Sequence, residues 1–255
     1  MTILAMDTSC NACTAAIVAD DKMVAQTVVN NKRTHSEKLM PMIETMFAAA
    51  EISLSEIDVI AVANGPGSFT GVRIGVATAQ GLAHSLGIPC ISVSTLEALA
   101  GNVFGTSGII CPILNARREQ VYTSIFSNCR PPRESAELAV GKFPECPFGQ
   151  HGSGFRRITQ DSAMPLAELL ERLRDEESVM FLGDGIFEFR EEIEAKLGER
   201  AKFAPPHLNM NLAGSVAARA MEFIRNGGEI SVDNVVIPNY LRLSQAEREL
   251  KAIEN

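Results

Sequence analysis

The chain has 255 residues, 46% of them apolar, and a formal net charge of −8 at pH 7. This is enough for one large or two small globular domains with a core, and no apolar run approaches the roughly 20 residues of a membrane span. The negative charge argues against a chain that grips a nucleic-acid backbone alone, and the N-terminus lacks the basic start of a secretion signal, so we expect a cytoplasmic protein.

Three short strands are predicted first, at residues 2–7, 13–18 and 23–29. Polar turns separate them, which is typical of an antiparallel meander. The first strand runs directly into Asp7-Thr8-Ser9.

Two helices follow, at residues 35–50 and 69–86. Thr34-His35-Ser36-Glu37 has the pattern of a capping box and opens the first helix, in which Pro41 should lie near the first turns or cause a kink. A strand at 58–63 precedes the second helix, which ends at Gly87. A strand at 88–93 and a short helix complete the order βββαβαβα.

A second series begins near residue 105 and repeats this plan less completely. Its predicted elements are strands near 109–114 and 120–126, a helix near 164–175, a strand at 179–182 and helices near 187–197 and 211–226. We therefore expect two domains, residues 1–104 and 105–255. The Pro- and Gly-rich stretch 128–161 is too long for an ordinary loop and is predicted to be an insertion in the second domain, a flap or a poorly ordered segment.

The stretch Asn64 to Gly75 reads NGPGSFTGVRIG and invites comparison with phosphate-binding loops. A Walker A loop would have Lys after its last glycine, but Gly71 is followed by Val72-Arg73. A dinucleotide fingerprint would place its third glycine one residue earlier. A nucleophile elbow would have glycines where Pro66 and Thr70 flank Ser68. The stretch is therefore predicted to be a tight strand-to-helix turn.

Small residues recur every four positions after this turn, at Gly71, Gly75, Ala79 and Ala83. Such a ridge lets another element approach closely, either inside the domain or in another protein. Because the preceding helix is also broadly apolar and rich in methionine, we expect an exposed patch on both helices. The residues predicted to contact a partner are Leu39, Met42, Ile43, Met46, Gly71, Val72, Gly75, Ala79, Leu82 and Ala83.

Six cysteines are spread along the chain, which is typical of reduced thiols in a cytosolic protein. Cys10 and Cys13 form a C-x-x-C pair, but a zinc site would need a second such pair. Cys129, Cys146 and His151 have irregular spacing, so no metal site is predicted there.

Several motifs together resemble the TsaB family, also called YeaZ. They are Ala5-Met6-Asp7-Thr8-Ser9, His35-Ser36-Glu37-x-Leu39-x-Pro41, the block from Gly65 to Gly75, Val93-Ser94-Thr95-Leu96-Glu97, Ala116-Arg117-Arg118-Glu119-x-Val121-Tyr122 and Pro238-x-Tyr240-Leu241-Arg242. They occur in the family's order and span both ends of the chain, and the GPGSFTG block is the most specific of them.

The resemblance implies an α/β fold that is actin-like and sugar-kinase-like, with two related domains, each a mixed sheet flanked by helices, the second degenerate. It also implies a role in making N6-threonylcarbamoyladenosine (t6A) at position 37 of tRNAs that read codons beginning with A. In this family the chemistry belongs to the homologous subunit TsaD, with which TsaB dimerises, and TsaE supplies an ATPase. We expect a non-catalytic scaffold that contacts tRNA only indirectly and pairs with itself when TsaD is absent.

No catalytic residue and no metal site are predicted. TsaD carries H-x-x-x-H on the first of these helices, and two histidines at this spacing can share a metal; here Leu39 follows His35. No cofactor is required, although a weak nucleotide site at Asp7, Thr8 and Ser9, or ATP or ADP at the partner interface, stays open. The alternatives are an ATPase that uses Asp7 and a metal-independent peptidase that uses Ser68, for which the sequence does not show whether His35 or His84 lies near enough to act as the base. Relatives usually have Asp where this chain has Asn115.

Overall fold

Two mixed β-sheets form the frame of the molecule, in a computed structural model that describes residues 1–31, 34–103, 108–128, 155–233 and 235–242. The first sheet contains β1 (Thr2–Asp7), β2 (Cys13–Ala19), β3 (Lys22–Val29), β4 (Val59–Ala63) and β5 (Cys90–Val93). Its order is β3-β2-β1-β4-β5, with an antiparallel meander of β1 to β3 and with β4 and β5 parallel to β1. The predicted meander is confirmed.

Helices cover both faces of this sheet because side chains alternate between the faces of a strand. On one face, Leu4 and Met6 pack with α1 (His35–Ala50) and α2 (Phe69–Leu86). On the other, Ile3 and Ala5 pack with α6 (Ala213–Arg225). A short helix, α3 (Thr95–Gly101), follows β5.

The second sheet repeats the plan of the first. Its strands are β6 (Ile109–Asn115), β7 (Gln120–Thr123), β8 (Phe126–Asn128), β9 (Phe155–Arg157), β10 (Ser162–Pro165), β11 (Val179–Leu182) and β12 (Ala201–Phe203). The path β10-β7-β6-β11-β12 has the same order and the same strand directions as β3-β2-β1-β4-β5. Such a repeat is the actin-like, two-part fold that the sequence predicts, and this fold class is confirmed.

Helices α4 (Leu166–Arg172) and α5 (Ile186–Leu197) pack on the second sheet. None of the helices in the described ranges is long and apolar enough to cross a bilayer.

Several predicted elements of the second half are wrong in detail. The single strand predicted at 120–126 is two strands, because β7 pairs with β10 and the end of β6, whereas β8 pairs with β9 and the start of β6. The helix predicted from residue 164 begins at Leu166, after β10. Of the predicted insertion 128–161, residues 129–154 lie outside the described ranges, and 155–157 form β9.

The start of α1 also differs from the prediction. Thr34 is the residue before the helix, but its side chain makes no capping hydrogen bond, so the predicted capping box is wrong. Pro41 lies within the helix. Helix α2 ends as predicted, at Gly87, which has a φ of 65°.

Helix α6 joins the two halves of the chain. It belongs to the segment predicted as the second domain, yet it packs on β1, β2, β4 and β5 of the first sheet. The first sheet spans residues 2–93 and the second 109–203. The boundary between residues 104 and 105 itself stays a prediction.

Candidate functional site

A cavity of about 580 Å³ lies between the two halves, at the ends of β1, β6 and β11. Its walls come from residues 9–11, 66–70, 114–117, 184 and 239–242. Folds with parallel strands hold ligands at the carboxyl ends of those strands. This cleft is therefore the candidate site, and it brings together Ser9, the glycine-rich turn and the turn that contains Asn115.

The predicted nucleotide residues Asp7, Thr8 and Ser9 are buried, and of the three Ser9 lines the cavity. Asp7 Oδ1 accepts hydrogen bonds from the backbone N–H of Ser9 at 2.8 Å and from Ser9 Oγ at 2.6 Å, and Oδ2 accepts one from Asn211 Nδ2 at 2.7 Å. Burial raises the pKa of Asp7, and the bonds from Ser9 and Asn211 oppose this rise. Thr8 Oγ1 donates to the carbonyl of Gly71 at 2.7 Å. These groups therefore hold the turn after β1 in place through hydrogen bonds within the chain.

The glycines of the strand-to-helix turn lie against this same turn. A Cβ on Gly67 would overlap the carbonyl oxygen of Ser9, and one on Gly71 would overlap that of Thr8. A Cβ on Gly75 would lie 2.5 Å from Thr8 Oγ1. The four-residue spacing thus serves a close approach of α2 to the end of β1, inside the domain.

The ten residues predicted to contact a partner form the inward faces of α1 and α2. Nine are buried; the partly exposed Leu82 packs against the same core. The buried nine are Leu39, Met42, Ile43, Met46, Gly71, Val72, Gly75, Ala79 and Ala83. The prediction that these side chains form an exposed patch is therefore wrong. The period of an amphipathic helix identifies the face that is covered, and here the chain's own sheet covers it.

The outward faces of the same helices carry different residues. On α1 they include Met40, which is 37% exposed, and the exposed Glu44 and Ala48. On α2, Arg73, Ala77 and Gly81 are exposed at four-residue spacing. Sequence reasoning missed them, although the small residues Ala77 and Gly81 were a signal that could have identified a second, outer ridge.

A polar cluster forms the wall contributed by the second half. Asn115 donates its backbone N–H to Asp184 Oδ1 at 3.0 Å and its side-chain amide to Glu188. Burial raises the pKa of Asp184; the bond from Asn115 lowers it and the nearby Glu188 raises it further. The amide of Asn115 thus donates to a carboxylate, which an ionised Asp at this position could not do. In the same turn, residues 117–119 all have φ near +60°.

His35 does not face a second histidine. Its Nε2 lies 2.8 Å from the carbonyl oxygen of Cys10, and Leu39, one turn later, is in the core. Within the described ranges, no three His, Cys, Asp or Glu side chains are grouped so that they could hold a metal ion.

Ser68, the nucleophile of the peptidase alternative, caps helix α2. Its Oγ accepts a hydrogen bond from the backbone N–H of Gly71 at 3.3 Å. His84 lies in the last turn of the same helix. At about 1.5 Å per helical residue the two are roughly 24 Å apart, so the structure does not bring this pair together.

The cysteines in the described ranges carry free thiols, as predicted. Burial raises the pKa of Cys13 to about 11 and that of Cys90 and Cys111 to about 12. Cys10 lines the cavity, and burial raises the pKa of its thiol well above the ordinary value. Cys129, Cys146 and His151 lie outside the described residues.

Comparison with known proteins gives a consistent picture. The family described as "TsaD: tRNA N6-adenosine threonylcarbamoyltransferase" matches residues 22–250. A Bacillus subtilis "tRNA threonylcarbamoyladenosine biosynthesis protein TsaB" is 34% identical over 251 residues, 97% of this chain and 96% of that protein. The Escherichia coli protein of the same description is 38% identical over 124 residues, 48% of this chain and 53% of that protein.

Among solved structures, "YeaZ from Pseudomonas aeruginosa" matches with a TM-score of 0.70 at 23% sequence identity. The match covers 94% of this chain and 99% of that one. At this identity the likeness shows a shared fold, in agreement with the repeated strand order above.

Proposed function

The chain belongs to the TsaB family, and we propose that it is a non-catalytic scaffold that pairs with TsaD to support transfer of the threonylcarbamoyl group to adenosine 37 of tRNA. The observation that carries the proposal is the outer surface of α1 and α2, defined by Met40, Glu44 and Ala48 on α1 and by Arg73, Ala77 and Gly81 on α2. Small exposed side chains on a long helix let a second helix approach closely. The proposal places the chain in the cytoplasm, with tRNA.

The likeness to TsaD explains why this surface suits that partner. The match to the TsaD family over residues 22–250 indicates that the two proteins share one fold. Homologous chains can pair through the same patch on each, as identical subunits do about a two-fold axis. We therefore propose that the outer surface of α1 and α2 meets its equivalent on TsaD, and that it pairs with a second copy of this chain when TsaD is absent. TsaE would join through the complex.

The residue at position 39 supports the proposal that the chain is not itself a catalyst. There the buried Leu39 stands where TsaD has the second histidine of its pair, and His35 contacts the carbonyl of Cys10. The peptidase alternative is weakened because Ser68 lies far from His84, one of its two candidate bases.

The pairing is tested by Ala77→Arg and Gly81→Arg, each co-expressed with TsaD from the same cell. An arginine in the outer surface should abolish co-purification, while the thermal unfolding of the isolated chain stays as in the wild type. Ala218→Arg is the matched control, because Ala218 is exposed on α6, on the opposite face of the sheet. Ala79→Arg should instead unfold the chain, because Ala79 is in the core. Undiminished pairing of both outer-surface variants would reject this interface.

The pathway is tested in cells that lack the chain. Bulk tRNA should lose t6A, wild-type chain should restore it, and Ala77→Arg should not. Restoration by Ala77→Arg would separate the cellular role from this surface.

For nucleotide, we propose that ATP or ADP binds between the two subunits and not at Asp7, because the Asp7 carboxylate accepts three hydrogen bonds within the chain. Calorimetric titration should therefore detect ATP binding by the complex and none by the isolated chain. Binding by the isolated chain that disappears in Asp7→Asn would favour the ATPase alternative.

A further inference from the structure

The last described segment, residues 235–242, crosses the cleft between the two halves; we name it the C-terminal strap. The strap makes hydrogen bonds to the first half beside the glycine-rich turn. The backbone N–H of Asn239 donates to the carbonyl of Asn64 at 2.7 Å, and Asn64 Nδ2 donates to the carbonyl of Ile237 at 3.0 Å. A Cβ on Gly65 would lie 2.8 Å from the carbonyl oxygen of Asn239, so glycine is needed at this crossing.

Tyr240 attaches the strap to the first turn of α2. Its ring stacks on Phe69 with centroids 4.4 Å apart, and its hydroxyl accepts a hydrogen bond from Arg73 Nε at 2.9 Å. The guanidinium carbon of Arg73 lies 3.8 Å from the centroid of the Phe69 ring. The three side chains therefore form one cluster in which each contacts the other two.

Arg242 attaches the strap to the second half. Its Nη1 donates to the carbonyl of Ala116 and, at 3.4 Å, to that of Arg117, in the turn between β6 and β7. Asn239 Nδ2 lies 3.5 Å from Asp161 Oδ2, also in the second half. One short segment therefore bonds to both halves and supplies residues 239–242 of the cavity wall.

The strap is attached mainly by polar and ring contacts. Val235 and Ile237 are 69% and 72% exposed, and only Val236, which lies between them, is buried. A segment that buries little apolar surface opens at a lower free energy than the core it lies on. We therefore expect the strap to open at a lower free energy than either sheet.

We propose that the C-terminal strap is a releasable clasp: attached, it holds the two halves in one arrangement and forms part of the cavity wall, and detached, it widens the access of solvent and ligands to the cavity. This inference does not depend on the proposed pairing with TsaD, because the strap acts within the isolated chain.

Cys10 provides a native probe of opening, because its partly buried side chain lines the cavity beside the strap. The experiment measures the rate of alkylation of each cysteine by iodoacetamide, by peptide mass spectrometry, in full-length wild type, Tyr240→Ala and Arg242→Ala. Loss of a charged hydrogen bond or a ring stack should raise the Cys10 rate roughly tenfold. Cys111, buried in the second core, should keep its wild-type rate.

Two control variants sharpen the test. Arg118→Ala removes an exposed arginine from the same turn as Arg117 and should leave the Cys10 rate unchanged. Tyr240→Phe keeps the ring stack without the hydroxyl and should have an intermediate rate. An unchanged Cys10 rate in both Tyr240→Ala and Arg242→Ala would overturn the proposal. Equal acceleration at Cys10 and Cys111 would also overturn it, because the strap would then be part of the cooperative fold.

Discussion

At the scale of single residues, the glycines of α2 show what spacing alone leaves open. The sequence identifies a ridge at Gly71, Gly75, Ala79 and Ala83, and the structure has these residues on one buried face. The element that approaches Gly71 and Gly75 is the turn after β1, at Thr8, and not another helix. Spacing reports that something comes close, and only the fold determines what it is.

Gly71→Ala should destabilise the chain, because the new methyl group would overlap the backbone carbonyl of Thr8, which cannot move without disturbing β1. We expect a loss of about 3 kcal/mol in the free energy of unfolding, the upper part of the usual range for overpacking. Urea denaturation of the isolated chain measures it.

Gly81→Ala in the same helix is the matched control. No atom lies within 4 Å of a Cβ built on Gly81, which is exposed. Replacing an exposed glycine within a helix by alanine should therefore stabilise the chain by about 0.5–1 kcal/mol. Equal losses for the two variants would contradict the assigned packing of Gly71.

At the scale of elements, the first half could be predicted closely and the second could not. The strands of the meander and helices α1 and α2 have strong local signals: alternation, three- and four-residue periods and the glycine at position 87. In the second half, residues 120–126 contain no Gly, Pro, Asn or Asp that would mark a break, yet they divide between β7 and β8 because different parts of β6 are available to each. Strand pairing is a long-range contact that a local pattern does not contain.

The same limit explains the corrected interface. Met42 and Met46 repeat with the helical period, which establishes that this face of α1 is buried. The period does not show which element buries it. The sheet covers it, and the partner surface that we propose is on the opposite side, at Met40 and Ala77, where sequence shows only mixed polar and small residues.

At the scale of the whole molecule, the two halves are joined by contacts between distant parts of the chain. Helix α6 packs on the first sheet, the strap spans the cleft, and Arg157 links α3 to the second half. Arg157 is 8% exposed, donates to Glu97 at 2.8 Å and to Asp161, and lies over the ring of Phe126. In the sequence this residue is only half of a short basic pair with Arg156.

Arg157→Met should weaken the whole molecule, because it leaves the carboxylates of Glu97 and Asp161 without their shared cation. Breaking a buried ion pair by removing one partner costs about 3–5 kcal/mol, and we expect the lower end because Glu97 is partly exposed. Chemical denaturation is the measurement. Arg156→Met, at the exposed neighbour, should change the unfolding free energy by about 0.5 kcal/mol or less. A similar loss in both variants would show that the charge network is not what matters.

By itself the sequence determines the family, through motifs such as the GPGSFTG block, and the order of strands and helices in the first half, because local periods and turn residues act over a few positions. Only the tertiary structure shows that Asp7 is hydrogen-bonded to Asn211 rather than free in the cleft. It also shows that α6 packs on the first sheet and that Asn239 and Arg242 line the cavity. Asp7 and Asn211 are 204 positions apart. Contacts at such separations are set by how the two sheets and their helices exclude water together, and no short stretch of residues records them.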